Sequence, residues 1–310
     1  MLIIADSGST KCTWITNDGV RTTTVRTRGI NAVQHTAEQI REVLGELPPC
    51  DGVTAVRFYG AGCGPTFPEA SEKLRRELEA HFKTDDIAIE SDLLGAARAL
   101  WGHGEGIACI LGTGSNSCWY RDDRIVQHVS PLGYVLGDEG GGAVLGRNLV
   151  NGIFKGHIPL KEEFLAAHGL SYEEIIRRVY REPYANRFLA SFAPFIYAHI
   201  TRPDIREMVL ASFRDFAARN LSRYPAQVAI LVRVGNLTAL NESLGELSGR
   251  VVAGFNNGTG NHVLGLSAHK SSALAGLNML ELNDLKDLAV LLKSYTVTKF
   301  ACRDHIGTPP

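Results

Sequence analysis

The chain has 310 residues, 45% hydrophobic and 21% charged, an ordinary globular composition with more length than one compact core needs, so two lobes are expected. Its 32 basic and 33 acidic side chains leave a formal net charge of -1, which offers no basic surface for nucleic acid and no like-charge tail. Met1-Leu2-Ile3-Ile4-Ala5 runs into Asp6 with no basic start or cleavage site, and no apolar run is long enough for a bilayer, so a cytoplasmic protein away from membranes is expected.

In chain order, Ile3-Ile4-Ala5 leads through Asp6-Ser7-Gly8-Ser9-Thr10-Lys11 to a second strand-like run, Cys12-Thr13-Trp14, and Asn17-Asp18-Gly19 marks a hairpin. Thr36–Leu47 predicts a helix with Ile40, Val43, Leu44 and Leu47 on one face. Gly52–Tyr59 predicts a strand that ends in Gly60-Ala61-Gly62-Cys63-Gly64. Pro68–Phe82 predicts an amphipathic helix, Ile87–Ile89 a short strand and Asp92–Trp101 an Ala/Leu-rich helix. This alternation favours a largely parallel sheet covered by helices.

About a hundred residues after the first hairpin the pattern returns. Ile107–Leu111 leads through Gly112-Thr113-Gly114-Ser115-Asn116 to Ser117-Cys118-Trp119-Tyr120 and a turn at Asp122-Asp123. Two related lobes follow, 1–105 and 106–310, the second with a helical insertion at about 143–224; chance similarity of two hairpins is the bland alternative. Beyond a glycine cluster after Asp138-Glu139 come a long helical region from about Leu160 to Tyr224 and a strand over Val228–Val234. A turn-rich stretch, Gly254–Asn261, and a helix over Ser271–Leu280 complete the reading.

The six cysteines, Cys12, Cys50, Cys63, Cys109, Cys118 and Cys302, form no Cys-x-x-Cys pair, and several lie in apolar runs, as buried free thiols do in a reducing compartment. The ten histidines show no His-Glu-x-x-His pattern, so neither a structural zinc nor an iron–sulfur cluster is expected.

Two polar glycine turns between strands are suited to phosphate. Glycine lets a backbone come close, and amides and hydroxyls donate to the oxygens. In the first, Gly8, Ser9, Thr10 and Lys11 supply donors and Asp6 can hold a hydrated Mg²⁺; in the second, Gly112, Thr113, Gly114 and Ser115 could grip the same phosphate chain. A single turn of this kind is common in hairpins. Neither the P-loop pattern nor Gly-x-Gly-x-x-Gly occurs. Asp92, between a strand and a helix, is the candidate base for activating an attacking hydroxyl, and would equally serve as an ordinary helix N-cap. Asp138 and Glu139 among glycines could accept sugar hydroxyls or simply suit a helix start, and Asn31 could bond a ligand or a turn.

Taken together, Asp6-Ser7-Gly8-Ser9-Thr10-Lys11, Gly29-Ile30-Asn31, Ser91-Asp92-Leu93-Leu94-Gly95-Ala96, Leu111-Gly112-Thr113-Gly114-Ser115-Asn116 and Leu136-Gly137-Asp138-Glu139-Gly140 resemble, in order and spacing, the eukaryotic-type N-acetylglucosamine kinases and the BadF/BadG/BcrA/BcrD ATPase-like family of the actin/hexokinase superfamily. The resemblance runs to about Tyr224. It implies an α/β fold of two ribonuclease-H-like lobes with a cleft closing around ATP and sugar. It also implies Asp92 as catalytic base, Asp6 as the magnesium-organising acid and Thr10 and Thr113 as phosphate contacts. Asn31, Ser115, Asn116 and Asp138 are implied as sugar contacts. Where the family carries a Gly-Ser-Val turn near the adenosine, this chain has Val234-Gly235-Asn236-Leu237, so Gly235 stands for the nucleotide contact and the residues after it depart from the pattern. Ser271–Gly276 echoes the family's final helix.

The expected activity is ATP-dependent phosphorylation of the 6-hydroxyl of N-acetylglucosamine or a related amino sugar, with Mg²⁺, by a protein that the resemblance suggests is a homodimer. Glucosamine or N-acetylmuramic acid as substrate is the near alternative. A BadF-like activase driving a partner enzyme, or a sugar-binding regulator without catalysis, are alternatives of other classes; the scattered cysteines offer the activase no cluster ligands, and both Asp6 and Asp92 are retained.

Overall fold

A computed structural model describes residues 1–225, Val228 and three further strands, Ile230–Val234, Val251–Asn256 and Asn261–Val263. Gly235, Cys302 and the helix expected over 271–280 lie outside the described residues. The chain divides into two compact units, Met1–Arg98 and the part from Ala99 onward.

In the first unit, β1 (Leu2–Ser7), β2 (Lys11–Asn17) and β3 (Thr22–Arg28) form an antiparallel meander, and β4 (Ala55–Gly60) and β5 (Ile87–Ser91) add in parallel beside β1. The strand order is β3-β2-β1-β4-β5. Strand alternation turns Ile3, Ala5, Trp14, Val56 and Phe58 inward, where they meet α1 (Ala37–Leu44) and α2 (Pro68–Phe82) through Ile40, Leu44, Leu74, Leu78 and Phe82. Trp14 and Phe58 meet edge to face, with ring centroids 5.7 Å apart. A reciprocal capping box between Thr36 and Gln39 starts α1, and Pro68 opens α2 where its missing N–H costs nothing. Helix α3 (Asp92–Trp101) lies against the opposite face of β4: a Cβ at Gly95 would come within 2.7 Å of Tyr59, whose side chain leaves the sheet opposite Phe58.

The second unit repeats the plan. Strands β6 (Gly106–Leu111), β7 (Ser115–Arg121) and β8 (Arg124–Val129) form the meander, β9 (Ile230–Val234) and β10 (Val251–Asn256) run parallel beside β6, and β11 (Asn261–Val263) pairs antiparallel with β10. The order is β11-β10-β9-β6-β7-β8. Asp122 and Asp123, with φ of 52° and 60°, form a two-residue hairpin turn of the primed kind that matches strand twist. Gly254, Phe255 and Asn256 belong to β10 rather than to a turn, because they pair with β11 across the tip.

Between β8 and β9 stand α4 (Gly133–Leu136), α5 (Gly142–Phe154), α6 (Lys161–His168), α7 (Tyr172–Tyr180), α8 (Ala185–Ala190), α9 (Ala193–Ala198), α10 (Pro203–Arg219) and a 3₁₀ turn at Leu221–Arg223. The helical region expected over Leu160–Tyr224 is a succession of helices, α6 to α10, and the 3₁₀ turn. Gly169 in the left-handed conformation ends α6, Ser171 and Glu174 form a capping box for α7, and Pro203 opens α10. Phe164, Phe192, Phe195, Phe213 and Phe216 pack with Leu145, Leu149 and Ile153 of α5 into one core beneath β6. Among the described residues, no helix is long and apolar enough to cross a membrane.

Candidate active site

In the first unit the polar turn is the β1–β2 hairpin itself: Gly8 N–H donates to the Lys11 carbonyl at 3.0 Å, and Thr10 and Lys11 are exposed. The segment after β3 passes underneath. Gly29 N–H donates to the Thr10 carbonyl at 3.0 Å, and a Cβ at Gly29 would lie 2.2 Å from Gly8 O, so only glycine fits. Asp6 faces away from buried Ser7, is part-exposed, and pairs in register with Thr13 and Tyr59.

Asn31 follows Ile30 in that segment. Its Oδ1 accepts from the amides of Val33 at 3.1 Å and Gln34 at 3.2 Å, an Asx turn that leaves the Nδ2 donor as the group able to address a ligand. Gly62, at φ +71°, sits against Asn31: an added Cβ would lie 2.5 Å from Oδ1. The same loop borders Asp92. Burial, and then the negative charge of Asp92, push the Cys63 thiol up to about 12. The Gly60–Gly64 loop therefore joins Asn31 and Asp92.

Asp92 is the first residue of α3, at the carboxyl end of β5. The helix is capped by its neighbour: Ser91 Oγ accepts the Leu94 amide at 3.2 Å, and Asp92 Oδ1 accepts the adjacent Leu93 amide at 2.9 Å. The carboxylate thus stands at the end of a parallel strand, where open α/β sheets bind ligands, with the N-cap bond made by Ser91.

In the second unit the Gly112–Gly114 turn is clamped by α5. The Gly142 and Ala143 amides donate to the carbonyls of Gly112 at 2.8 Å and Thr113 at 2.9 Å, and Gly112 N–H donates to Gly114 O at 2.9 Å. The first amides of the helix are thus consumed by the turn. They are not open to an anion. At exposed Gly112 an added Cβ would meet nothing within 4 Å, leaving room for a bulky group over the turn.

Asp138 closes this arrangement. It has a left-handed φ of 55°, its amide donates to Pro131 O at 2.8 Å, and its carboxylate lies against Gly114, where a Cβ would be 2.5 Å from Oδ2. Burial raises its pKa to about 6; the Ser115 amide opposes the shift and the Glu139 charge adds to it. The neighbouring glycines answer to packing as well. A Cβ at Gly137 would strike Pro131 O, and one at Gly141 would strike Gly114. Ser115 is buried, and Asn116 Oδ1 accepts from the Ser117 amide at 2.9 Å and from His128 Nε2 at 2.8 Å. Burial lowers the pKa of His128, and the bond to Asn116 Oδ1, an acceptor, requires a proton on Nε2.

The structure brings Asp6, Gly8–Lys11, Asn31 and Asp92 together within the first unit, and Gly112–Asn116 with Asp138 within the second. Sequence reasoning passed over Ser7, Ser91 and Cys63. For Ser7 a signal existed: a hydroxyl at an inward position, after Ile3 and Ala5. The donor set suits a nucleotide that brings its own hydrated magnesium, because one carboxylate and a hydroxyl-rich turn stand where a protein cage would need more. Among the described residues, no three of His, Cys, Asp and Glu are grouped to hold a metal.

Two sheets of this order, each opening in a glycine-turned hairpin, define the two-lobed α/β class of the actin/hexokinase superfamily. A crystal structure of a candidate N-acetylglucosamine kinase, PG1100 from Porphyromonas gingivalis, is 42% identical over 80% of this chain and 90% of its own, with a TM-score of 0.73. At that identity the chain belongs to the same family, the BadF/BadG-like sugar kinases. A candidate N-acetylglucosamine kinase from Chromobacterium violaceum shares the fold at 20% identity and a TM-score of 0.62, over 81% of this chain and 93% of that one. No protein-family model matches the chain, and no curated protein sequence does.

Proposed function

We propose that the protein is a cytoplasmic kinase that transfers the γ-phosphoryl group of ATP to the 6-hydroxyl of N-acetylglucosamine or a close amino sugar. The observation that carries this reading is the Asp92 carboxylate, at the end of β5 beside the loop that packs on Asn31, with Ser91 rather than Asp92 capping α3. The 42%-identical relative, itself a candidate N-acetylglucosamine kinase, supports the substrate class.

In this reading Asp92 takes the proton of the 6-hydroxyl as its oxygen attacks the γ-phosphorus and ADP departs. Asn31, through Nδ2, and Asp138, through its carboxylate, hold the sugar with Ser115 and Asn116. The turns at Gly8–Lys11 and Gly112–Gly114 donate to phosphate oxygens through amides, hydroxyls and the Lys11 ammonium. A Mg²⁺ organised by Asp6 would neutralise charge on the phosphates when bound.

ADP release measured across N-acetylglucosamine, glucosamine, N-acetylmannosamine and N-acetylmuramic acid tests the substrate. Asp92→Asn tests the base: kcat falls at least about 100-fold, the scale of a positioned proton acceptor, while calorimetric binding of the sugar persists. Turnover within about three-fold of the parent would remove Asp92 from the chemistry. A protein whose ATP turnover no sugar stimulates would not be this kinase.

A further inference from the structure

Ser7 carries more than its place in the strand requires. It ends β1 on the buried face, after Ile3 and Ala5, and is fully buried. A hydroxyl there costs stability unless it is paired. Ser7 Oγ is paired twice with one residue: it accepts the Ile30 amide at 2.8 Å and donates to the Ile30 carbonyl at 3.0 Å. Ile30 is itself fully buried and lies beyond the end of β3, so no neighbouring strand serves its peptide groups. The Ser7 side chain acts in that strand's place.

The residue on the far side of Asn31 is tied to Ser7 as well. Ala32 N–H donates to the Ala61 carbonyl at 3.1 Å, and Ala61 N–H donates to the Ser7 carbonyl at 2.9 Å. Asn31 thus hangs between two anchors, Ile30 and Ala32, that both lead back to Ser7. Its Oδ1 is turned inward by the Val33 and Gln34 amides, so the direction of Nδ2 follows the backbone.

We infer that Ser7 is a positioning residue: through its paired hydrogen bonds to Ile30 it sets where Asn31 presents its amide to the sugar. The inference rests on the sugar-contact role proposed for Asn31. It predicts that Ser7 acts on sugar affinity and acts through Asn31.

The test is a double-mutant cycle of Ser7→Ala and Asn31→Ala, read by sugar KM, ATP KM and calorimetric binding of N-acetylglucosamine, with circular dichroism melts alongside. Ser7→Ala raises sugar KM about ten-fold, the scale of a lost buried hydrogen bond, and leaves ATP KM within about two-fold. Added to Asn31→Ala, it raises sugar KM by no more than about two-fold further. Fold-changes that multiply, ATP KM rising in step with sugar KM, or an unchanged sugar KM would each overturn the inference. Should Ser7→Ala fail to fold, Ser7→Thr, which keeps the hydroxyl, and Ser7→Cys, which offers a weaker donor, take its place. Thr matching the parent while Cys raises sugar KM supports the inference, and equal values sink it. A parent protein that binds no amino sugar refutes the proposed function instead, and calorimetry separates that result from the others.

Discussion

At the scale of single residues the informative group is Asp138, whose carboxyl is raised from the usual 3.8 to about 6 by burial. Between those values the native state holds a proton that the unfolded chain has released. This group's contribution to stability is therefore full below pH about 4 and is lost as pH climbs through about 6. Asp138→Asn, neutral throughout, gains stability relative to the parent across that window, and urea melts at pH 4, 5, 6 and 7 measure it. The functional sign is opposite. An ionised carboxylate accepts sugar hydroxyls, so sugar KM of the parent falls between pH 5 and 7 while that of Asp138→Asn stays flat. A parent KM that did not move with pH would detach Asp138 from the sugar. Asp138 itself was legible in the chain, as an acid among glycines. Its raised pKa was not, because that depends on Gly114 and Ser115 folding over it from more than twenty residues earlier.

At the scale of elements, the starts of the first three helices were legible because a local signal marks each. Thr36 with Gln39, Pro68 and the Asp92 boundary place α1, α2 and α3 within a few residues of where the sequence predicts them. The region after Leu160 read as a long helical region without internal boundaries because its apolar spacing hardly changes. The marks that divide it, Gly169, Ser171 and Pro203, are single residues. Contacts between elements have no local mark at all, and α5 against α8 is the clearest case. A Cβ at Gly146 would lie 2.0 Å from the Leu189 carbonyl oxygen, a backbone atom that cannot swing aside. Alanine at Gly146 gains about 1 kcal/mol of helix propensity, whereas forcing the helices apart costs about 3 kcal/mol, so the clash wins. Gly146→Ala is expected to lose about 2 kcal/mol, read from the midpoint of a urea titration. A variant as stable as the parent would mean that α5 and α8 are packed less closely than this.

At the scale of the whole molecule the described cysteines make a simple prediction. Cys12, Cys63, Cys109 and Cys118 are buried, and burial holds each thiol above its ordinary pKa, Cys63 and Cys118 at about 12; Cys50 is half-buried. With a pKa of about 12, roughly one thiol in ten thousand is thiolate at pH 8. In a Cys302→Ser background, a disulfide reagent such as Ellman's is expected to modify Cys50 alone in the native protein and all five described thiols in denaturant. Rapid native labelling at Cys63 would contradict the packing of the Gly60–Gly64 loop.

The shared strand order, β3-β2-β1-β4-β5 and β8-β7-β6-β9-β10, has a chemical consequence. Ser7 holds the last paired position of β1, opposite Cys12, and Leu111 holds that of β6, opposite Ser115. One step earlier stand Asp6 and Ile110. The same scaffold therefore ends in a carboxylate and a hydroxyl in one half and in two hydrocarbons in the other, where helix amides grip the turn instead. The halves have become specialists. A chimera with one hairpin's sequence in the other's place would keep the pleat and lose that division of chemistry.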